Sequence, residues 1–436
     1  MSRVRVAAAP RPWPEGPSGL PRLLLGSRER PTLTAHLDVY GPRGGAGSRD
    51  LLTATAEAGI RGRGGAGFPT ATKMQAVVDG RGAKVLVANG CEGEPASEKD
   101  ESLVCGSPHL VLDGVVMAAA AVGAGQAFIA VERTRPHSAD ALQAAIDERV
   151  RVGDDPIPIR VVTVPARYVA GEESALVHWL NGGDAKPTTV PPRPFERGVG
   201  GRPTLVQNVE TLAHVALIGR FGPAWFRSLG TDDEPGSALV TAAGAVVRPS
   251  VYEIAMGTPV GELLDAAGGP DEDVDAVLIG GYFGTWARIS DVVGVGLSNV
   301  ALRGVGSSLG CGVVVALPRS ACPLVESARV LRYLAEETAG QCGPCVFGLA
   351  SVADAAGALA RGGARRTVVE DLRRWSDVIS RRGACHHPDG AIRFLRSALT
   401  AFPEEIALHQ NGRCRATSRR PILPIPHGRT RDLGWR

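Results

Sequence analysis

Three groups of residues have the types and spacing to do chemistry. Gly62-Arg63-Gly64-Gly65-Ala66-Gly67 fits G-x-G-x-x-G, a pattern whose missing side chains let backbone N–H groups reach a phosphate. A helix start reads from Phe68-Pro69-Thr70, so free amides and the positive end of a helix dipole face the same anion. The dinucleotide fingerprint follows a strand, whereas Arg49 to Ala58 reads as a helix. The standard Rossmann reading therefore fails, leaving an anion site or a tight turn between two helices.

The second group is acidic. Asn89-Gly90-Cys91-Glu92-Gly93-Glu94-Pro95 follows the apolar run Ala83 to Ala88, and Gly171-Glu172-Glu173 opens a helix after the run Arg160 to Val164. Loops at strand ends carry ligands in α/β sheets, and paired carboxylates there suit a carboxamide or ribose hydroxyls. Solvated loop charge and helix capping are the plainer alternatives. The third group is Cys342-Gly343-Pro344-Cys345 with Cys385. C-G-P-C is also a thioredoxin-type redox motif, but that motif needs a preceding strand and this one interrupts helices. With His386 or His387 the three thiols also suit a Cys₃His zinc site. Cys105, Cys311, Cys322 and Cys414 read as core or incidental.

The elements that must hold these groups alternate. Strands at 83–88, 127–131 and 160–164 interleave with helices at 108–122, 138–150 and 172–180, the pattern of an open α/β sheet with its ligand at the carboxyl ends. A Pro-rich link at 186–203 leads into a predicted helix over 204–217. Short β-runs at 238–243, 251–255, 276–279 and 313–317 around a helix at 260–267 predict a small α+β insert. From Pro323 onward Leu324, Ala328, Leu331, Leu334 and Ala335 share one helical face, which predicts a bundle of three or four helices.

At 436 residues the chain is long enough for two or three domains, and its 44% hydrophobic and 21% charged residues are those of a folded globular protein. A net charge of +3 gives no reason to expect nucleic acid. The Pro-, Gly- and Arg-rich start lacks the apolar run of a secretory signal, and no stretch approaches the roughly 18 apolar residues of a membrane span, so a cytoplasmic protein without membrane insertion is expected. Eight cysteines in that compartment are thiols or metal ligands before they are disulfides.

Arg61 to Thr70 with Lys73, Asn89 to Pro95 with Lys99-Asp100, Tyr168 to Leu176, and Pro203 to Thr211 together resemble, in order, the NADH-binding FMN/iron–sulfur flavoprotein subunit of NADH:quinone oxidoreductase, a family shared with NAD-linked hydrogenases and formate dehydrogenases. The resemblance runs over residues 50–408. It implies a flexible tail (1–43), an α/β FMN- and NADH-binding domain (44–230), a ubiquitin-like β-grasp insert of the SLBB type (231–320), an all-α iron–sulfur helical bundle (321–412) and a mobile, basic, Pro-rich tail (413–436).

It further implies an FMN-dependent NADH dehydrogenase that takes a hydride from NADH and releases electrons singly to a cluster. Gly62, Arg63, Gly64, Gly65, Gly67 and Lys73 would cradle the FMN phosphate. Asn89 and Glu92 would hold the flavin side, while Gly171, Glu172 and Glu173 would line its ring. Asn208 and Thr211 would close the pocket, Glu94 would bind the nicotinamide end of NADH, and Phe68 would stack on the adenine. No side-chain acid or base is needed for hydride transfer.

Cys342, Cys345 and Cys385 match three ligands of the family's [4Fe–4S] cluster, but Ala339 stands at the first position of its C-x-x-C-x-x-C run. Three thiolates imply a [4Fe–4S] cluster with another fourth ligand, for which His386 and His387 are nearest in sequence and Cys311 or Cys322 stay open, a [3Fe–4S] cluster, or a lost cluster. Cys91 replaces a family Asp, Gln207-Asn208 a pair of asparagines, and Arg202 a lysine. The implied redox partner is a thioredoxin-like [2Fe–2S] subunit or a ferredoxin. The rival readings are a degenerate scaffold or regulatory paralogue and a zinc site in place of the cluster.

Overall fold

The computed structural model describes residues 22–24, 31–43, 48–362, 364–427 and 434–436. Four strands, β1 (Lys84–Asn89), β2 (Ala124–Glu132), β3 (Ile159–Val164) and β4 (Thr204–Asn208), form a parallel sheet in the order β3-β2-β1-β4. Alternation along β1 sorts its side chains to two faces. Leu86 and Ala88 enter the core under the helices Pro108–Val122 and Val209–Phe226, whereas Val85 and Val87 pack with Leu176 and Val177 of the helix Glu173–Leu180. The two helices over the first face cross closely: a Cβ on Gly114 would lie 2.0 Å from the Leu212 carbonyl oxygen.

The helix predicted over 204–217 is corrected. Thr204 to Asn208 pair in parallel register with Val85 to Asn89, and the helix begins only at Val209. Thr204, Leu205 and Val206 continue the sheet because β1 has an open edge there, and the Asn208 side chain then caps the helix by accepting from Glu210 N at 3.0 Å. This correction matters for function because it carries Asn208 to a strand end beside Asn89.

The insert holds β5 (Ser237–Gly244), β6 (Ser250–Ala255), β7 (Val274–Ile279), β8 (Thr285–Arg288) and β9 (Val313–Pro318) in the order β6-β5-β9-β7-β8, with β5 and β9 parallel at its centre. This is the expected β-grasp arrangement, with the helix Val260–Ala266 packed on one face through Val260, Leu263 and Leu264. The bundle follows as Pro323–Glu336, Ala350–Arg361, Val368–Ile379, His387–Ala401 and the short Pro403–Gln410, with a wide π-type turn at Pro344–Leu349.

The described parts of both tails are held, against the expectation of mobility. Leu423 is fully buried, Leu423 N donates to Glu326 at 2.8 Å, and the Tyr282 hydroxyl donates to the Pro424 carbonyl. The segment is held because Ile422, Leu423 and Ile425 supply apolar anchors between its prolines and arginines. At the other end Leu23 is buried, and Arg22 and Leu23 donate their amides to Glu253 at 2.7 Å. Most of the predicted N-terminal tail, 1–21 and 25–30, lies outside the described residues.

Candidate functional site

The glycine-rich segment is a pinched loop. Gly62 N donates to Phe68 O at 2.8 Å and Thr70 N to Ile60 O at 3.1 Å, closing its neck. Gly65 (φ +107°) and Gly67 (φ +62°) adopt a backbone that side chains resist, and a Cβ on Gly64 would sit 3.3 Å from the Asn208 Cβ. Arg63 N donates to the Thr211 hydroxyl at 2.8 Å, which moors the loop to the helix after β4. The Arg63 side chain is buried with Nε unpaired. Helix Thr70–Asp79 starts without a side-chain cap; Thr70 N is taken by Ile60 O, and the amides of Ala71 and Thr72 in the same turn are left for an anion. The residues therefore fit a phosphate group. Lys73 pairs with Glu173 at 2.6 Å across the pocket, and Phe68 stands exposed on its rim.

The loops after β1 and β3 pack backbone against backbone. Asn89 Nδ2 donates to Gly171 O at 2.7 Å, a Cβ on Gly171 would meet the Cys91 Cβ at 3.1 Å, and one on Gly93 would lie 2.5 Å from Tyr168 O. Asn208 joins them by donating to Asn89 O at 3.3 Å and to Asp100 Oδ2 at 2.8 Å. Glu172 caps its own helix, accepting from Ser174 N at 3.0 Å and Ala175 N at 3.2 Å. Glu92 likewise accepts from Lys99 N at 2.9 Å and Asp100 N at 3.2 Å at the start of the helix Lys99–Gly106.

Glu94 has a different setting. It is buried and accepts from Ala96 N at 3.1 Å, the Tyr168 hydroxyl at 2.8 Å and Tyr282 N at 2.6 Å, so one carboxylate joins the sheet domain to the insert. Burial pushes its pKa up to about 7 although those three donors favour the charged form. Beneath the site Lys99 bridges Asp100 (2.7 Å) and Glu210 (2.8 Å), all three buried. That network is not among the site residues expected from sequence; its signals were Lys99-Asp100 and Glu210, each within a stretch that carries the family resemblance. Removing one partner would leave a buried charge unpaired, a cost of about 3–5 kcal/mol. Burial, with Glu132 and Asp100 adding to it, pushes the Cys91 thiol well up, which makes it an inert thiol.

The structure gathers Cys342, Cys345 and Cys385 at one end of the bundle. Cys345 is buried, and its amide donates to Cys342 O at 3.1 Å in the turn that leads into Pro344–Leu349. Burial raises the Cys345 thiol, with Cys342 and then Cys385 adding to the effect. Burial also raises Cys385, with the Glu172 carboxylate and the Cys342 sulfur adding to it; His387, two residues on, packs its ring 5.7 Å from that of Tyr168, which sets this end of the bundle against the loop after β3. Three thiols meeting here fit three corners of an iron–sulfur cluster. The neighbouring histidines do not complete the set: His386 is exposed, while His387 is buried between Tyr168 and Phe283 with Nε2 at 2.8 Å from Leu334 O. Burial brings the His387 pKa down to about 4.

Sequence comparison agrees with this layout. Residues 55–217 match the model of the Nuo51 FMN-binding domain, 239–281 the SLBB domain, and 326–409 the NADH-ubiquinone oxidoreductase-F iron–sulfur binding region. The chain is 33% identical over 379 residues to the second NADH-quinone oxidoreductase F subunit of Rhizobium meliloti (strain 1021), covering 84% of this chain and 90% of that protein. It is 32% identical over 376 residues to the NADH-quinone oxidoreductase F subunit of Streptomyces coelicolor (strain ATCC BAA-471 / A3(2) / M145), covering 84% of each. Among solved structures, NAD+-reducing [NiFe]-hydrogenase in the H2-reduced state superposes with a TM-score of 0.79 at 30% identity, over 87% of this chain and 66% of the hydrogenase chain.

Proposed function

This chain belongs to the family of NADH-quinone oxidoreductase F subunits, and from that premise we propose that it is an NADH-oxidising, FMN-dependent flavoprotein subunit that passes electrons to an iron–sulfur cluster. One observation carries the reading: the glycine-rich loop, the Asn89 and Gly171 loops and Asn208 converge at the carboxyl ends of β1, β3 and β4, and the three thiols border the same loop. When bound, FMN supplies two-electron hydride chemistry toward NADH and one-electron chemistry toward a cluster.

The protein's own residues bind and orient. Gly62, Gly64, Gly65 and Gly67 with the open start of Thr70–Asp79 would hold the flavin phosphate, and Arg63 and Lys73 would add positive charge beside it. Asn89, Asn208 and Thr211 fix the pocket's wall through the bonds they make to each other's loops. Gly171 would let the flavin ring approach the backbone, with Glu172 and Glu173 at its edge. Glu92 would hold the loop's shape through its amide contacts, Glu94 would receive the nicotinamide end, and exposed Phe68 would meet the adenine. The tight packing of these loops would help to keep water from around the ring of a bound flavin.

Electrons would leave to a one-electron protein carrier, a thioredoxin-like [2Fe–2S] subunit or a ferredoxin. Exposed Val346 and Phe347 beside Cys345 support a docking surface at that end of the bundle. All eight cysteines are unpaired, which supports a cytoplasmic site of action. Among the described residues no single helix is long and apolar enough to cross a membrane.

The test is anaerobic purification followed by flavin and iron analysis and EPR before and after NADH. Bleaching of bound FMN together with a cluster signal that changes on NADH addition is the expected result. Protein that holds neither flavin nor iron would overturn the proposal.

A further inference from the structure

A second set of metal-type ligands lies in the bundle away from Cys342, Cys345 and Cys385. One ligand atom each from Cys322, Glu405, His409 and Cys414 lies within 4.8 Å of the other three, and the first three of these residues are buried. Cys322 Sγ is 3.3 Å from His409 Nε2 and 3.8 Å from Glu405 Oε1, and His409 Nε2 is 3.2 Å from that oxygen. A tetrahedral zinc ion bound by sulfur, nitrogen and oxygen at ordinary lengths sets its ligands about 3.3–3.8 Å apart. The three measured edges fall close to that range. Cys322 and Cys414, read from sequence as core or incidental, are thus brought together; the pattern His409-x₄-Cys414 was the only local signal, and its partner Cys322 lies far back in the chain.

The surroundings orient the ligands. His409 Nδ1 lies 3.2 Å from Leu359 O, and donating there leaves the Nε2 lone pair aimed at the Cys322 sulfur and the Glu405 carboxylate. Cys322 Sγ, His409 Nε2 and Glu405 Oε1 face one another in a buried spot, where a divalent cation can take the place of the protons shared among them. Cys322 stands at the start of the helix Pro323–Glu336, at the positive end of its dipole. Arg415 lies 3.2 Å from the other Glu405 oxygen and would balance the surplus negative charge of two thiolates and a carboxylate around a divalent ion.

We propose that Cys322, Glu405, His409 and Cys414 form a structural zinc site, separate from the iron–sulfur ligands, that clasps the C-terminal segment to the bundle. The site joins the start of one helix, the last helix and the segment beyond it. From Cys414 that segment runs past Ser320, where Thr417 and Ser418 donate their amides at 2.9 Å, to buried Leu423 and to the Tyr282 contact on the insert. Metal at this point would fix the segment's near end as Leu423 fixes its far end.

The test measures zinc and iron together on the full-length chain purified from zinc-supplemented cells. About one zinc per chain is expected. Replacing Cys342, Cys345 and Cys385 together by Ser should remove the iron and leave the zinc, which also separates this proposal from the flavoprotein reading. Cys414→Ser and His409→Gln should each lower zinc affinity roughly ten-fold or more, as ligand loss does, with iron and flavin retained. Should His409→Gln lose flavin through misfolding, Cys414→Ser, at an exposed position, carries the test. A chelator that strips zinc should speed tryptic cleavage after exposed Arg419 in the parent and make no difference in Cys414→Ser. A zinc-free parent chain, a Cys322–Cys414 disulfide in it, or zinc that disappears with the iron in the triple variant would each overturn the proposal.

Discussion

The sheet end of the site is built from backbone, and the bundle end from side chains. Around β1, β3 and β4 many of the close contacts are backbone amides, carbonyls and absent Cβ atoms: Gly62 to Phe68, Gly171 against Cys91, Gly93 against Tyr168. In the bundle they are sulfur, imidazole and carboxylate carried on helices. A backbone-built site tolerates no added bulk, because each glycine is a place where another chain segment or a cofactor must fit. A site of side chains can lose one ligand and keep its frame, as the presence of Ala339 beside three remaining thiols illustrates.

The sharpest way to test that contrast is Gly64→Val. Its branched side chain would meet Asn208, already 3.3 Å from a bare Cβ, and should abolish flavin retention and with it all NADH oxidation. Normal flavin absorbance in the purified variant would show that the loop does not cradle the cofactor. Next in size is Cys345→Ser, which should remove the cluster signal and the transfer of electrons to one-electron acceptors while NADH still bleaches the flavin. Simultaneous loss of flavin would mean that the two ends are not separable.

Glu94→Ala should weaken NADH binding about ten-fold, roughly 1.4 kcal/mol, with FMN retained; titration calorimetry or flavin bleaching would read it, and unchanged affinity would remove Glu94 from the nucleotide site. The same acid has a pH signature. Its folded pKa of about 7 lies above the ordinary 4.5, so its contribution to stability is full below pH 4.5 and is lost as pH rises toward 7. Denaturant titrations should therefore show Glu94→Gln gaining on the parent across that window by about 3 kcal/mol at most, and a pH-independent difference would contradict the raised pKa. The smallest effect on catalysis should come from Leu423→Ala. It would cost about 2–5 kcal/mol of packing and loosen the C-terminal segment, yet leave NADH oxidation near the parent rate; a large drop in that rate would tie the segment to the chemistry.

The same contrast explains what could be read from sequence. Helix Pro108–Val122 and strands β1, β3, β5, β6, β7 and β9 were legible because each is a long enough periodic or β-branched run between turn residues. Strand β4 was not, since Thr204 to Asn208 runs without Gly or Pro into an apolar helix and only the capping Asn208 marks the break. Strand β8 is four residues long, too short to show alternation. The glycine motif and its partner loops were found as ordered local patterns. Lys99 with Glu210, and Cys322 with His409, belong to pairs remote in sequence that only the folded topology unites. Composition misled at the C-terminus, where arginine and proline suggested mobility and three apolar residues decided the outcome.

The sheet order carries a kinetic consequence. Two further strands and their helices lie in sequence between β1 and its neighbour β4, and the Asn208 to Asn89 contact spans 119 residues. Pairings of such long range are slow to form because the loop must close before its contacts reward it. The same edge strand brings Asn208, and the helix after it Thr211, so the pocket wall exists only where this long-range pairing is made, and a flavin bound there would hold together parts of the chain that lie far apart in sequence.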